Sequence, residues 1–241
     1  MDGDVDVAGV AALVGEPARA RVLVALAGGR ALAASTLAAE AGVAASTVSG
    51  HLARLVDGGL LCVEVSGRHR YYRLSRPEVA HVLEALAALA PARPVRSFSQ
   101  ATHGIAIRRA RTCYDHLAGS LGVALFDALV AEGLLLAEPG DGGADPVLGA
   151  GRALQLTLTN LGRERLGTLG VALDPATRRP QLAYCVDWSE QRPHLAGHLG
   201  AALLARLVDL GWVVRRPRRV VTLTDAGRAG LADRLGVTGF E

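Results

Sequence analysis

The sequence contains no lysine, so all 26 of its basic residues are arginine. With 23 acidic residues the formal net charge is only +3 at pH 7, which permits a nucleic-acid partner without requiring one. Arginine, alanine and glycine are abundant where lysine is missing, as in proteins encoded by GC-rich bacterial genomes. The absence of lysine therefore indicates base composition rather than selection for a ligand.

Cysteine is scarce, and its three residues are Cys62, Cys113 and Cys185. They are too few and too far apart for the disulfide framework of a small secreted domain, so we expect reduced thiols. No apolar run reaches the roughly 18 residues of a membrane span, and the first residues are acidic where a secretion signal is basic. We therefore expect a cytoplasmic protein with no membrane partner.

Sequence motifs of common enzyme classes are missing as well. The chain has no glycine-rich phosphate loop, no His-Glu-x-x-His helix and no nucleophile elbow. At the same time half of the residues are hydrophobic, which is enough for several small folded units. The sequence predicts a folded protein that is not an enzyme.

The first sixty residues have the pattern of a helix-turn-helix. Apolar residues at helical spacing predict four helices, which are Val7–Val14, Ala18–Ala27, Thr36–Ala41 and Ala44–Asp57. Ser35 is a suitable N-cap for the third helix, and Gly42 suits the left-handed residue that ends it. A short helix, a turn containing glycine and a longer helix are typical of DNA-binding proteins.

A hairpin and one more helix follow. Leu60–Val65 and Arg70–Leu74 are rich in strand-forming residues, and the four residues between them predict a hairpin loop. Pro77 then begins a predicted helix, Glu78–Leu89, with an apolar stripe that nothing nearby in the sequence covers. We interpret the hairpin as a wing and the helix as a dimer interface.

Four ordered motifs between Leu13 and Ser75 resemble the ArsR/SmtB family of winged helix-turn-helix repressors. These motifs are Gly15–Arg19, Ser46–Leu52, Gly58–Leu61 and Gly67–Tyr72. The resemblance covers about the first ninety residues and leaves an extension of about 140. It implies a homodimer that binds double-stranded operator DNA and releases it when an effector arrives.

The helix Ala44–Asp57 would then lie in the major groove, and the hairpin tip would reach phosphate or a minor groove. The candidate DNA contacts are Ser46, Thr47, Ser49, His51, Arg54, Arg68, His69 and Arg70. Ala44, Ala45 and Gly50 replace the serine, glutamine and basic residue usual in the family. Their absence removes a helix cap and two strong base-reading side chains, which predicts weaker sequence discrimination.

The second half of the chain contains an internal repeat. His116–Gly119 recurs as His194–Gly197, and each copy continues with a similar helix and Thr-rich strands. We therefore predict a mainly α fold with small β-hairpins (α+β), in which two winged-helix-like repeats follow the first domain. The predicted boundaries are 1–90 for the DNA-binding and dimerisation domain, 91–101 for a linker, and 102–173 and 181–241 for the repeats.

Each repeat also begins with a cysteine that a histidine follows. If the repeats pack about a pseudo-twofold axis, Cys113, His116, Cys185 and His194 could converge on a soft or borderline metal such as zinc or cadmium. They could equally line a pocket for an organic effector with Trp188 as a wall, or pack as buried side chains. His194 and His198 are expected on one helix face. The cadmium-type site that the resemblance implies for the first domain is missing, because Arg54 and Gly58 replace its two cysteines, and the arsenic-type Cys-x-Cys pair is missing as well. Of the zinc-type site on the dimer helix only His81 and Glu84 remain, and we interpret this pair as surface residues rather than a ligand set.

Together these patterns predict an effector-responsive transcriptional repressor that binds operator DNA as a homodimer. The alternative is a DNA-bound interaction module whose last two repeats recruit a protein partner and sense nothing. The two hypotheses share the DNA-binding domain and differ in the role of the repeated half.

Overall fold

The computed structural model describes residues 5–67, 69–91, 94, 97–140, 154–172 and 179–240. The chain forms two compact units, Met1–Leu89 and Ala90–Glu241. Both combine helices with small antiparallel sheets, which confirms the predicted mixed fold with an N-terminal winged helix-turn-helix. No helix in these described ranges is long and apolar enough to cross a membrane.

The first unit consists of helices around one small sheet. Its elements are α1 (Val7–Gly15), α2 (Pro17–Leu26), β1 (Leu32–Ala33), α3 (Ala34–Ala41), α4 (Ala45–Asp57), β2 (Leu61–Ser66), β3 (His69–Leu74) and α5 (Pro77–Leu89). The sheet is antiparallel in the order β1-β3-β2. The two-residue strand β1 was not predicted, because so short a run has no period-2 pattern of its own.

Capping residues explain where several of these helices begin and end. Pro17 occupies the first position of α2, and the Glu16 carboxylate accepts hydrogen bonds from the N–H groups of Ala18 and Arg19. The predicted N-cap at Ser35 is wrong: α3 begins at Ala34, two residues earlier than predicted, and its N-cap Ala33 makes no side-chain hydrogen bond. Gly42 ends α3 with φ of 68°, as its left-handed role requires.

The wing is longer than predicted. β2 and β3 pair along their whole length from Leu61 opposite Leu74 to Ser66 opposite His69, so both strands extend into the stretch predicted as loop. Tyr72 and Leu74 are buried on the sheet face that packs on the helices. Arg68 lies outside the described residues.

The second unit begins with a single helix and then repeats one pattern twice. After α6 (Phe98–Arg109) come β4 (Arg111–Cys113), β5 (His116–Ala118), α7 (Ser120–Ala131), β6 (Leu135–Pro139), β7 (Leu154–Leu158) and α8 (Asn160–Leu169). The same order returns as β8 (Ala183–Val186), β9 (Pro193–Ala196), α9 (Gly197–Asp209), β10 (Val213–Arg215), β11 (Val221–Leu223) and α10 (Asp225–Leu235). Each repeat is thus hairpin, helix, hairpin, helix.

The two repeats share one hydrophobic core. Leu121 and Leu125 from α7 belong to the same buried cluster as Leu199 and Leu203 from α9. Each of these helices also packs against the first hairpin of the other repeat, α7 against β9 and α9 against β5. The repeats therefore interlock within a single unit.

Helix α6 begins inside the stretch predicted as a linker. The Ser97 hydroxyl accepts a hydrogen bond from the N–H of Gln100 and so caps the helix at Phe98. His194 lies on strand β9 rather than on the helix that carries His198, so the predicted pairing of these two histidines on one helix face is wrong. Strand β9 continues to Ala196, so α9 begins only at Gly197, after His194.

Candidate DNA-binding face and candidate metal centre

Helix α4 has one buried face and one exposed polar face. Val48, Leu52 and Leu55 are fully buried, and this apolar stripe fixes the helix on the core of the first unit. The opposite face exposes Ser46, Thr47, Ser49, Gly50 and Arg54. The predicted base-reading and phosphate-binding side chains on this helix are therefore open to a ligand, apart from His51.

His51 points towards the first unit's own helices. Its Nδ1 atom lies 3.5 Å from Oε2 of Glu16, and only 16% of the side chain is exposed. The hydrogen bonds from Ala18 and Arg19 lower the pKa of Glu16, with the charge of His51 contributing. Glu16 is a cap and anchor that the sequence did not single out, although the Glu-Pro pair before a helix is a recognisable signal.

The N-terminus of α4 has the weak capping that the sequence predicted. Ala44 is the N-cap residue and provides no side-chain hydrogen bond. The hydroxyl of Ser49 donates to the carbonyl of Ala45 at 2.9 Å, so its proton is used within the helix. The face thus offers few strong donors for reading base edges, and modest selectivity stays a prediction.

The structure describes two of the three candidate residues on the wing. His69 and Arg70 are exposed near the hairpin tip, where they could reach a DNA backbone. The ring of His69 lies 6.4 Å from that of Tyr71, measured between centroids. Tyr72 is buried and supports the hairpin.

Helices α1 and α5 leave apolar side chains uncovered in the first unit. On α5, Val79 and Leu83 are buried, whereas 48% of Val82, 45% of Leu86 and 83% of Leu89 are exposed. Val7 and Val10 on α1 are exposed in the same way: none of the residues of this helix is buried. The predicted apolar stripe is therefore split between the core and an open face.

In the second unit, two hairpins each place one cysteine opposite one histidine. Cys113 pairs with His116 across the β4–β5 hairpin, and Cys185 pairs with His194 across β8–β9. Directly opposite residues in antiparallel strands have side chains on the same face, about 4.5–5.5 Å apart at Cβ. Each hairpin therefore supplies one sulfur and one imidazole on one side.

The packing of the repeats brings these two pairs together. One ligand atom from each of Cys113, His116, Cys185 and His194 lies within 4.8 Å of the others. The two imidazole rings are 5.2 Å apart between centroids and inclined by 33°. Cys113, His116 and His194 are buried, and Cys185 is half-buried. We call these four residues the Cys2His2 cluster.

Each histidine of the Cys2His2 cluster has a carboxylate beside its Nδ1 atom. Oδ1 of Asp115 lies 3.4 Å from Nδ1 of His116, and Oδ2 of Asp187 lies 3.5 Å from Nδ1 of His194. Burial opposes protonation of His116, but Cys113 and Asp115 together raise the pKa of its imidazole to about 9. Burial would raise the pKa of Asp115, and hydrogen bonds from His116 and Arg179 lower it to about 2.

Asp187 connects the repeats through several hydrogen bonds. Its carboxylate accepts from the N–H of Gly119 at 2.6 Å, from the Ser189 hydroxyl at 2.7 Å, and from the fully buried guanidinium of Arg111 at 3.0 Å. Burial of Asp187 favours its neutral form, but Arg111 and these donors hold the pKa of the carboxyl well below its usual range. The sequence reasoning missed Arg111, since nothing in a sequence distinguishes a buried arginine from an exposed one.

Trp188 is not part of the cluster. The guanidinium carbons of Arg108 and Arg111 lie 4.9 Å and 4.8 Å from the centroid of its ring. Such cation–π contacts give the indole a packing role beside the Arg111–Asp187 pair. Of the five residues predicted for an effector, four come together and the fifth lies with the arginines.

These elements define a winged helix-turn-helix protein with a repeated second unit. A family model described as a helix-turn-helix domain matches residues 14–64. The uncharacterized HTH-type transcriptional regulator YdfF of Bacillus subtilis (strain 168) is 35% identical over 235 residues, 96% of this chain and 98% of that one. The chain therefore belongs to the HTH-type transcriptional regulators, and its first ninety residues resemble the ArsR/SmtB family in sequence. It is a DNA-binding regulator and not an enzyme.

Two solved structures are each similar to a little more than a third of this chain. NolR from Sinorhizobium fredii is 28% identical, covers 36% of this chain and 85% of that chain, and has a TM-score of 0.33. The homodimeric winged helix-turn-helix domain Mb0332 from Mycobacterium bovis, described as a possible ArsR-family regulator, is 27% identical. It covers 37% of this chain and 89% of that chain with a TM-score of 0.32.

Proposed function

We propose that this regulator is a homodimeric repressor that binds operator DNA through α4 and the wing and responds to an effector bound by its second unit. The observation that carries the proposal is the exposed polar face of α4, with Ser46, Thr47 and Arg54 open to solvent while the opposite face is buried. A helix of this kind inserts its N-terminal residues into the major groove.

The open apolar faces of α1 and α5 support the homodimer. Val82, Leu86 and Leu89 on one helix would lose contact with water by pairing with the same residues of a second copy. Two-fold pairing of identical faces is the commonest arrangement of soluble oligomers. A dimer would also present two copies of α4 to a DNA site with two-fold symmetry.

The distribution of metal-binding residues supports an effector site in the second unit. In the first unit, Arg54 and Gly58 stand where the resemblance implies cysteine ligands, and His81 is exposed while Glu84 is buried. In the second unit the Cys2His2 cluster combines soft and borderline donors. This chemistry favours zinc or cadmium as the effector.

Selection from a pool of random-sequence duplex DNA by the purified full chain tests the DNA-binding role. We expect recovery of an inverted repeat whose half-sites lie about 10 base pairs apart, centre to centre. The replacement Thr47→Ala on α4 should weaken binding to the recovered duplex. Thr168→Ala, an exposed threonine on α8, is the matched control and should leave binding unchanged.

Recovery of sequences without symmetry would contradict the homodimer. Binding that is equal for the recovered duplex and a scrambled duplex would contradict operator recognition altogether. If the full chain instead binds the operator but no effector changes that binding, the second unit serves as an interaction module for a protein partner.

A further inference from the structure

We propose that the Cys2His2 cluster binds one zinc-class divalent cation in a closed tetrahedral site that joins the two repeats of the second unit. This ion would be the effector of the repressor proposed above, so its regulatory role rests on that proposed function. The geometry of the two hairpins supports the metal site itself, independently of that function.

The distances suit a four-coordinate ion. Zinc lies about 2.3 Å from thiolate sulfur and about 2.0–2.1 Å from imidazole nitrogen. A tetrahedron with these bonds separates neighbouring ligand atoms by about 3.3–3.8 Å. The four donor atoms already lie within 4.8 Å of one another, so small movements of side chains complete the coordination.

The donor set selects the class of metal. Two thiols and two imidazoles suit zinc or cadmium, whereas magnesium and calcium require oxygen ligands. Four protein ligands leave no position for a water or a substrate, which is the arrangement of structural rather than catalytic zinc sites. The thiols lose their protons to solvent on binding, so that two thiolates balance the charge of the divalent ion.

The His116 imidazole is oriented for ligation through Nε2. Oδ1 of Asp115 accepts a hydrogen bond from Nδ1 of His116 at 3.4 Å, and Oδ2 of Asp187 lies 3.5 Å from Nδ1 of His194. For His116 this is the usual carboxylate–histidine–metal arrangement, in which Nδ1–H faces the carboxylate and Nε2 is left for the ion. Nε2 of His116 is buried and has no hydrogen bond to nitrogen or oxygen in the described ranges; its neighbour is the Cys113 thiol.

Each repeat contributes half of the site. Cys113 and His116 come from β4 and β5, whereas Cys185 and His194 come from β8 and β9. A bound ion therefore ties two hairpins that are distant in sequence and stabilises their packing. Through this link the metal can change the conformation or the rigidity of the whole repeated half.

The test titrates the reduced, chelator-treated full chain with Zn²⁺ and with Co²⁺. We expect one ion per chain by native mass spectrometry, and for Co²⁺ the intense visible absorption of a tetrahedral centre with thiolate charge-transfer bands. Mg²⁺ should not bind. A six-coordinate Co²⁺ spectrum, or no retained ion, would overturn the proposal, as would a native mass that shows a Cys113–Cys185 disulfide under these reducing conditions.

Variants locate the ion. Cys185→Ser alters a half-buried ligand and leaves only one thiolate, so it should lower the Co²⁺ affinity and diminish the thiolate bands, while Cys113→Ser should do the same from the other repeat. Cys62→Ser, at the half-buried cysteine of the first unit, is the matched control and should bind Zn²⁺ unchanged. Asp115→Asn should lower the affinity about 10–100-fold, as expected of a residue that orients a ligand. Equal affinity in Cys185→Ser and Cys62→Ser would overturn the assignment.

Regulation is measured separately on the duplex recovered by selection. Zn²⁺ should change the affinity of the full chain for this DNA roughly 5–150-fold, and Cys185→Ser should lose that change. Stoichiometric Zn²⁺ binding without an effect on DNA affinity would overturn the regulatory role and leave the metal site standing. Failure to bind any DNA would contradict the proposed function, while metal binding would still be decided by the titration.

Discussion

Gly200 packs directly against His116 of the other repeat. A Cβ atom at Gly200 would lie 3.2 Å from Cβ of His116 and 2.7 Å from the carbonyl oxygen of Leu195. The reciprocal contact exists at Gly122, where a Cβ would lie 3.6 Å from Cβ of His194 and 2.6 Å from the carbonyl oxygen of Leu117. The absence of a side chain at these two positions lets each helix approach the histidine hairpin of the other repeat.

The substitution Gly200→Ala should therefore disturb the Cys2His2 cluster. Because the new methyl group would press on backbone, the helix or the hairpin must move, at a cost of about 1–3 kcal/mol in the free energy of unfolding. Zn²⁺ affinity should fall with it. Both tryptophans, Trp188 and Trp212, lie in the second unit, so urea unfolding followed by tryptophan fluorescence reports the effect.

Gly167→Ala is the control for this change. Gly167 is an exposed helical glycine with nothing within 4 Å of a Cβ. Alanine there should stabilise the second unit by about 0.5–1 kcal/mol and leave Zn²⁺ binding unchanged. Equal effects of the two substitutions would contradict the role assigned to Gly200.

Arg54 on α4 is expected to contact a DNA phosphate. Arg54→Gln should weaken binding to all duplexes alike and reduce the slope of log affinity against log salt by about 1. Arg163→Gln, an exposed arginine on α8, is the control. Fluorescence anisotropy at several salt concentrations measures both slopes, and an unchanged slope for Arg54→Gln would exclude the contact.

Leu86 on α5 is expected to lie in the dimer interface. Leu86→Ser should shift the chain from dimer to monomer in sedimentation velocity, because the exposed 45% of Leu86 can contribute roughly half of the 1.5–3 kcal/mol expected for a fully buried leucine in each copy. Leu161→Ser is closely matched, since 47% of Leu161 and 45% of Leu86 are exposed in one chain. If the two single variants are both monomers, or both remain dimers, the interface lies elsewhere.

The Glu16 carboxylate should stabilise α2 only at pH values above its own pKa. Its carboxylate accepts two backbone hydrogen bonds that lower its pKa below the ordinary 4.5, so the folded state binds its proton less tightly than the unfolded state. The contribution is therefore complete above about pH 5 and is lost as the pH falls through the lowered value.

Glu16→Ala should accordingly destabilise α2 by about 0.5–2 kcal/mol near neutral pH and by less in acid. Hydrogen exchange of the α2 amides measures the difference at each pH. The control Glu164→Ala, at an exposed glutamate of α8, should leave α2 unchanged. A destabilisation of α2 by Glu16→Ala that becomes larger as the pH falls would contradict the expected pH dependence.

Asp187 should be critical for the stability of the second unit. Asp187→Ala leaves the fully buried Arg111 guanidinium without its carboxylate, which costs about 3–5 kcal/mol in the free energy of unfolding. Replacing Arg111 by methionine in the same chain should recover part of this loss. Asp225→Ala breaks the exposed Asp225–Arg228 pair and should cost less than about 1 kcal/mol.

Several features of the fold could be predicted from local sequence alone. Gly42 ends α3 in the left-handed conformation, and the Val48, Leu52 and Leu55 stripe buries one face of α4, because both effects act within a few residues of the chain. The start of α3 could not be predicted in this way. Pairing of β1 with β3 fixes the chain at Ala33, and this long-range contact overrides the capping preference of Ser35.

The sequence alone determined the class of the protein, since short-range patterns of glycine and apolar residues indicate the helix-turn-helix and the wing. It also indicated that Cys113, His116, Cys185 and His194 occupy equivalent places in two repeats. Only the tertiary structure decided that they meet, because this depends on two hairpins facing each other across a shared core. The same packing buried Arg111 against Asp187 and turned His51 towards Glu16, since burial and ion pairing between distant residues leave no periodic trace in a sequence.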